Sequence, residues 1–255
     1  MPRFFFETPP SEITPGQEIN LPDAVFHHAV RVRRLRSGDA CTLFDGNGNA
    51  WRITLTNIDK RQAFARIESR LPPTPTPSFP VTLALAITAV ERMDWALQKG
   101  TELGASAFLP FYSEHSNVRL NDARQARRSE HWRSVIINAC EQCGQNHLPR
   151  LSPPETFAAV LKTAAADKSA LRFFLDVSAR QSLPEALRSA QTTSPTPAQA
   201  FLMIGPEGGF TPDEIRATHS AGWQSACLGA RILRTETAAA AALTLIQATF
   251  GDLCG

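Results

Sequence analysis

Two glycine-bearing turns carry the residue types best able to do chemistry in this chain. The first lies in "AFLMIGPEGGFTPDE", residues 200–214, where an uncharged run from Phe201 to Ile204 leads into Gly205, Pro206, Glu207, Gly208 and Gly209. Glycines here let the main chain approach a ligand and adopt positive φ. The lysine of a P-loop, G-x-x-x-x-G-K-[ST], is absent, and so is the dinucleotide spacing G-x-G-x-x-G. Phosphate is therefore a poor guest, and Glu207 would repel it. A ligand with adenine, ribose and a positive centre fits better, because peptide groups read a base edge and a carboxylate tolerates a cation. S-adenosylmethionine has those parts. A tight strand–helix turn with no ligand is the competing reading of this loop taken alone.

The second turn, "LGARILRTETA" (residues 228–238), again ends an apolar strand and opens a helix. The two turns could form opposite walls of one site. Arg231 and Arg234 could equally be surface charges at a helix start. The run Arg234-Thr235-Glu236-Thr237 is too polar to be buried idly, and Thr235 or Thr237 could cap the helix that follows.

The elements that must position these turns can be read from periodicity. "VTLALAIT" (81–88), "AFLPFY" (107–112), "LRFFLDV" (171–177), Phe201 to Ile204 and "WQSACLG" (223–229) read as strands without polar alternation. Helical patterns follow them in "RMDWALQKGTELG", around Arg124 to Cys143, in "SLPEALRSA", from Thr211, and in the alanine-rich C-terminal run. Such alternation implies an α/β fold with a parallel sheet covered on both faces, and ligands bind such sheets beyond the carboxyl ends of the strands. "LPPTPTPSFP", residues 71–80, holds five prolines and reads as an extended linker. Residues 1–70 read as a small β-rich domain: strands in Phe4 to Glu7 and Ala63 to Ser69, two strands around the turn Gly46 to Asn49, and one basic helix near Asp23 to Arg36.

Charge and cysteines narrow the partners. Net charge is only +2 over 255 residues, but Arg31, Arg33, Arg34 and Arg36 place four guanidinium groups in six residues. Arg119, Arg124, Arg127, Arg128 and Arg133 form a second stretch. Arginine forks suit phosphate oxygens, so two such stretches point to nucleic acid. Cys140 and Cys143 form a C-x-x-C with no second pair at zinc spacing, and their helical setting favours plain buried thiols, so no metal is expected. The longest uncharged run near the C-terminus, Thr237 to Gly251, is 15 residues, short of the roughly 20 that span a bilayer. A cytoplasmic protein is the expectation.

"IGPEGGF" followed by "LGARILRTETA" resembles the signature of the RsmE-type small-subunit rRNA N3-uridine methyltransferases of the SPOUT superfamily, and "ERMDWALQKGTELGA" and "NACEQCGQNHLP" match other stretches of that family in order. The resemblance covers almost the whole chain. It implies a PUA-like, RNA-binding β-barrel over residues 1–70 and a SPOUT methyltransferase domain over 81–255 with a C-terminal trefoil knot, acting as a homodimer on 16S rRNA of the small ribosomal subunit, with uridine 1498 the family's expected target. Carried over by position, the S-adenosylmethionine cradle would be Ile204, Gly205, Pro206, Glu207, Gly208 and Gly209 on one side, and Leu228, Gly229, Ile232, Leu233 and Arg234 on the other. Arg92 and His115 would join Arg31, Arg33, Arg34 and Arg36 as RNA contacts. The chain departs from the family pattern at Ala89 and Val90, where Lys-Gly is common, and at His115 and Gln145, where arginine is common.

Methyl transfer to N3 of uracil is an in-line displacement, so alignment supplies much of the rate. Neutral N3 has no free lone pair. A base must take or share its proton, and a cation near the uracil oxygens would favour the anion. Arg234 and Arg92 are the candidates for the cation, Glu207 and Glu236 for the base. The target base must also be unpaired or swung out of its stack. A non-catalytic RNA-binding or ribosome-assembly factor would share the basic stretches without needing both glycine turns. An enzyme using another adenine nucleotide would share the turns without needing the β-rich domain.

Overall fold

A computed structural model describes residues 1–7, 9, 13–116, 122–192 and 195–253. Of the second arginine stretch, Arg119 lies outside the described residues. The chain forms two compact units, Met1–Thr76 with Ile137–Leu148, and Pro77–Ile136 with Pro149–Gly255.

The first unit is built on strands β1 (Arg3–Phe5), β2 (Glu18–Asn20), β3 (Ala40–Phe44), β4 (Ala50–Ile58) and β5 (Ala63–Arg70). They form one sheet in the order β1-β3-β4-β5-β2. Inward residues alternate along β5 (Ala63, Ala65, Ile67), as a sheet with one solvated face requires. They pack with Leu43, Trp51, Ile53 and Leu55 from β3 and β4 and with Val25 and Ala29 from the helical segment. That segment differs from the sequence expectation. Helix α1 (Asp23–Phe26) widens into a π-helical stretch, His27–Val32, and stops there. Arg34 takes a left-handed φ of 58°, so only Arg31 of the first arginine stretch is helical, while Arg33, Arg34 and Arg36 lie on the loop that follows.

Residues 137–148 join this unit through polar contacts. Glu141 accepts from the Phe5 amide (3.1 Å) and pairs with Nδ1 of His28 (3.0 Å). Burial pushes the Glu141 carboxyl up from its ordinary range.

The second unit carries β6 (Val81–Ala86), β7 (Ala107–Tyr112), β8 (Arg150–Leu151), β9 (Glu155–Thr156), β10 (Leu171–Leu175), β11 (Ala200–Ile204) and β12 (Gln224–Ala226). All pair in parallel, in the order β12-β10-β11-β6-β7-β8, with β9 on β7. β6 and β11 are buried along their whole length, which is why neither shows polar alternation. The helices are α2 (Val90–Glu102), α3 (Asp122–Cys143), α4 (Phe157–Ala165), α5 (Leu183–Gln191), α6 (Pro212–Ser220) and α7 (Thr235–Phe250); the end of α3 from Ile137 belongs to the first unit. Helix α4 and the short strands β2, β8 and β9 were not anticipated from periodicity. Among the described residues no helix is long and apolar enough to cross a membrane.

Candidate functional site

The glycine turn follows β11 at the carboxyl edge of the sheet, and each glycine has a local reason. A Cβ on Gly205 would meet the Phe210 ring at 3.0 Å, and one on Gly208 would meet Cβ of His115 at 3.2 Å. Gly209 holds φ at +71° with open space where a side chain would begin. The Phe210 ring lies among Phe157 (centroids 6.0 Å) and Phe174 (5.9 Å) and anchors the loop to α4 and β10. Helix α6 then starts on a capping box. Thr211 accepts from the Glu214 amide (3.2 Å), and Glu214 accepts from the Thr211 amide (2.9 Å). Pro212 occupies the first turn, where its missing N–H costs nothing.

The second turn arrives from farther away than chain order implies. Strand β10 lies between β11 and β12. The loop leaving β10 pairs with the start of the second turn: the Cys227 amide donates to the Gln181 carbonyl (3.0 Å), and the Leu183 amide to the Cys227 carbonyl (2.9 Å). The chain nevertheless returns to β11, where the Thr235 hydroxyl donates to the Gly205 carbonyl at 3.4 Å. The two turns therefore meet. Thr235 does not cap α7, nor does Thr237; the N-cap is Arg234, with no side-chain cap bond.

Helices α2 and α7 run side by side in the same direction. At their far ends Gln247 donates to the Gly104 carbonyl (2.8 Å). At their near ends both first turns touch the glycine loop, α7 through Thr235 and α2 through an ion pair between Arg92 and Glu207. The structure thus brings Arg92, Glu207, Gly205 and the Arg234–Glu236 run to one place. His115 joins them from the loop after β7, its Nδ1 donating to the carbonyls of Gly208 (3.1 Å) and Gly209 (3.2 Å). Arg31, Arg33, Arg34 and Arg36 are on the first unit and exposed. Arg31 donates to the Lys60 carbonyl and lies 5.4 Å from the Phe26 ring centroid.

Among the buried polar atoms with no partner in the described residues are Oγ1 of Thr88, a residue 3% exposed just after β6, and Oε2 of Glu236 in the first turn of α7. Nearby, Ile232 is 86% exposed and Val177, in the loop after β10, is 73% exposed. Buried polar atoms ordinarily find partners. A ligand with hydrogen-bonding edges and an apolar face fits that set, and S-adenosylmethionine is such a ligand. Sequence reading missed Thr88, Glu214 and the loop after β10. The T-x-x-E spacing of Thr211 and Glu214 signalled a helix start but not the second partner of Glu214. No cluster of three or more metal-ligating side chains occurs among the described residues. Cys140 is buried and Cys143 exposed.

Residues 74–247 match the model of the RNA methyltransferase domain, and residues 21–68 that of the RNA methyltransferase PUA domain. The fold and these matches define the class: a SPOUT-type α/β RNA methyltransferase domain preceded by a PUA-like domain. Among relatives, the ribosomal RNA small subunit methyltransferase E of Mycobacterium tuberculosis is 33% identical over 85% of this chain and 80% of its own length. That of Bacillus subtilis is 29% identical over 97% and 96%. The crystal structure of the Neisseria gonorrhoeae ribosomal RNA small subunit methyltransferase E bound to S-adenosylmethionine shares 33% identity, covers 99% of both chains and superposes with a TM-score of 0.86. A Legionella pneumophila methyltransferase, also solved with this cofactor, shares 34% identity over 98% of both chains with a TM-score of 0.87. The chain belongs to the ribosomal RNA small subunit methyltransferase E family.

Proposed function

We propose that this protein is an S-adenosylmethionine-dependent methyltransferase that places a methyl group on N3 of a specific uridine of 16S rRNA, uridine 1498 in the family's expectation. One observation carries the reading: the Thr235 hydroxyl joins the second turn to the Gly205 carbonyl of the first, although β10 separates their strands. Two loops that must cross a strand to meet would offer peptide groups to one ligand, and two relatives of known structure hold this cofactor.

When bound, S-adenosylmethionine supplies a methyl group on a sulfonium sulfur. Gly205–Gly209 and Leu228–Arg234 would clasp its adenosine by main-chain groups, with Ile232 and Val177 covering apolar surface. Arg92 holds one oxygen of Glu207, so that carboxylate is partly spent. Glu236, in the first turn of α7, is the other candidate acceptor for the N3 proton. Arg234, exposed at the head of α7, would be the cation that meets the uracil oxygens as charge develops.

RNA grip is assigned to Arg31, Arg33, Arg34 and Arg36 on the first unit and to the described arginines of the second stretch, with phosphate contacts positioning the substrate. The reading includes a homodimer working in the cytoplasm, supported by large exposed apolar residues, Val90 and Trp95, on α2. It also includes the trefoil knot, supported by the return of the chain from edge strand β12 to Gly205 at the first residue of α7.

The test is a thermal-shift panel with S-adenosylmethionine, S-adenosylhomocysteine, ATP and NAD, paired with mass-spectrometric mapping of small-subunit rRNA from cells lacking the protein. Stabilisation by the first two alone and loss of one methyluridine are expected. Stabilisation by none, with rRNA unchanged, would leave a non-catalytic RNA-binding factor as the reading.

A further inference from the structure

We propose that His115 is a positioning residue for the glycine turn, itself held by Glu214, so that the peptide groups facing the adenosyl ligand are set before the ligand arrives. This rests on the cofactor reading above.

The loop after β7 is pinned where it leaves the strand. Glu214 is 8% exposed. Its Oε1 accepts from the Ser113 hydroxyl and from the Glu114 amide, both at 2.9 Å, while Oε2 accepts from the Thr211 amide at 2.9 Å. A second contact closes the loop, the Ser113 amide donating to the Ser116 hydroxyl at 3.1 Å. One carboxylate thus ties the β7 loop to the end of the glycine turn, and His115 is the next residue along the tied segment.

From there the imidazole reaches the turn itself. Carbonyl oxygens only accept, so the contacts of Nδ1 with the carbonyls of Gly208 and Gly209 place a proton on Nδ1 in the neutral ring and the cation alike. Two successive carbonyls on one donor fix the planes of two successive peptides: the Gly209 amide is spent inside the turn on the Pro206 carbonyl (2.9 Å), and the Phe210 amide takes its direction from the second peptide. Gly208 has no side chain where the ring lies: a Cβ there would sit 3.2 to 3.4 Å from three atoms of His115. Close approach and hydrogen bonding converge on the same two residues. His115 is exposed and fills no core position, so its contacts organise the turn rather than the core.

The experiment compares wild type, His115→Ala, His115→Asn and Ser113→Ala as full chains. It reads the dissociation constant of S-adenosylhomocysteine by calorimetry, the melting temperature, and the dissociation constant for a small-subunit rRNA fragment. His115→Ala is expected to weaken cofactor binding about tenfold, with a fall of a few degrees at most in melting temperature; any loss of RNA affinity comes in addition to the cofactor effect and not in place of it. His115→Asn is expected to recover most of that loss, because the asparagine Nδ2–H reaches the place of the imidazole Nδ1–H. Ser113→Ala should fall between wild type and His115→Ala. Unchanged cofactor affinity in His115→Ala, no recovery in His115→Asn, or a loss confined to RNA binding would overturn the proposal. Failure of the wild type to bind S-adenosylhomocysteine would instead sink the cofactor reading itself.

Discussion

Substituting Gly208 with alanine tests the turn at the point where its packing is tightest. Gly208 is not among the residues with positive φ, so an alanine backbone is tolerated, and loss of unfolded-state freedom alone would stabilise by about 0.4–1 kcal/mol. Against this, the new methyl would lie 3.2 Å from Cβ of His115 and 3.4 Å from its Cγ and Nδ1, inside the 3.5–4.0 Å optimum for carbon pairs. His115 must retreat by a few tenths of an ångström, which lengthens its two hydrogen bonds to the turn. Such bonds contribute about 0.5–1.5 kcal/mol each, so partial loss of the pair costs about 1–2 kcal/mol. The balance is a destabilisation of about 0–1.5 kcal/mol, a few degrees in melting temperature at most for a chain of this size. Cofactor affinity is expected to suffer more, by about tenfold, because the loss falls on the peptide groups proposed to clasp the ligand. Scanning calorimetry and titration calorimetry with S-adenosylhomocysteine read the two effects separately. In a His115→Gly background the methyl meets no imidazole, so adding Gly208→Ala should do little further. Equal effects of Gly208→Ala in both backgrounds would refute the reasoning, as would a fall in stability above about 3 kcal/mol with cofactor binding intact.

Three other outcomes are expected. Replacing Arg33 and Arg34 together by alanine should weaken rRNA binding and reduce the slope of log K against log salt by about 1.4–1.8, two phosphate contacts' worth; an unchanged slope removes these residues from the RNA face. Glu207→Gln removes a partly exposed ion pair with Arg92, which should alter stability by no more than about 1 kcal/mol. Methyl transfer should nonetheless fall more than tenfold; normal turnover in a single-turnover assay excludes Glu207 from the site. Burial pushes the Cys41 and Cys140 thiols up to about 12, leaving a thiolate fraction of about 10⁻⁴ at pH 8. Brief iodoacetamide treatment of the native protein at pH 8, read by peptide mass spectrometry, should therefore mark exposed Cys143 ahead of Cys41 and Cys140. Labelling of the C-x-x-C pair at equal rates would contradict the buried setting of Cys140.

The parallel sheet was legible because burial on both faces leaves a composition trace: strands such as β6 and β11 need no polar alternation and show none. The glycine turn and the start of α6 were legible for a similar reason, since proline, capping threonine and acidic residues act within one helical turn of themselves. Short strands escaped, because two or three residues are too few to display a period. The helix expected to run to Arg36 ended at Val32, because a left-handed residue and two backbone bonds, from Arg33 to His28 (2.9 Å) and from Leu35 to Ala29 (3.0 Å), close it early. No residue type there announces that turn.

What lay beyond the sequence is everything that depends on strand order. Consecutive strands β11 and β12 invite the reading that their loops are neighbours, yet β10 separates them and the loops meet only because the chain returns to Gly205. The same holds for Glu214, whose capping role is local but whose grip on Ser113 spans 101 residues. Sequence on its own determined which peptides could form turns, caps and buried strands, since those are settled by neighbours a few residues away. The tertiary structure alone decided which turns meet, because that depends on how the chain crosses the sheet, and crossing leaves no local mark.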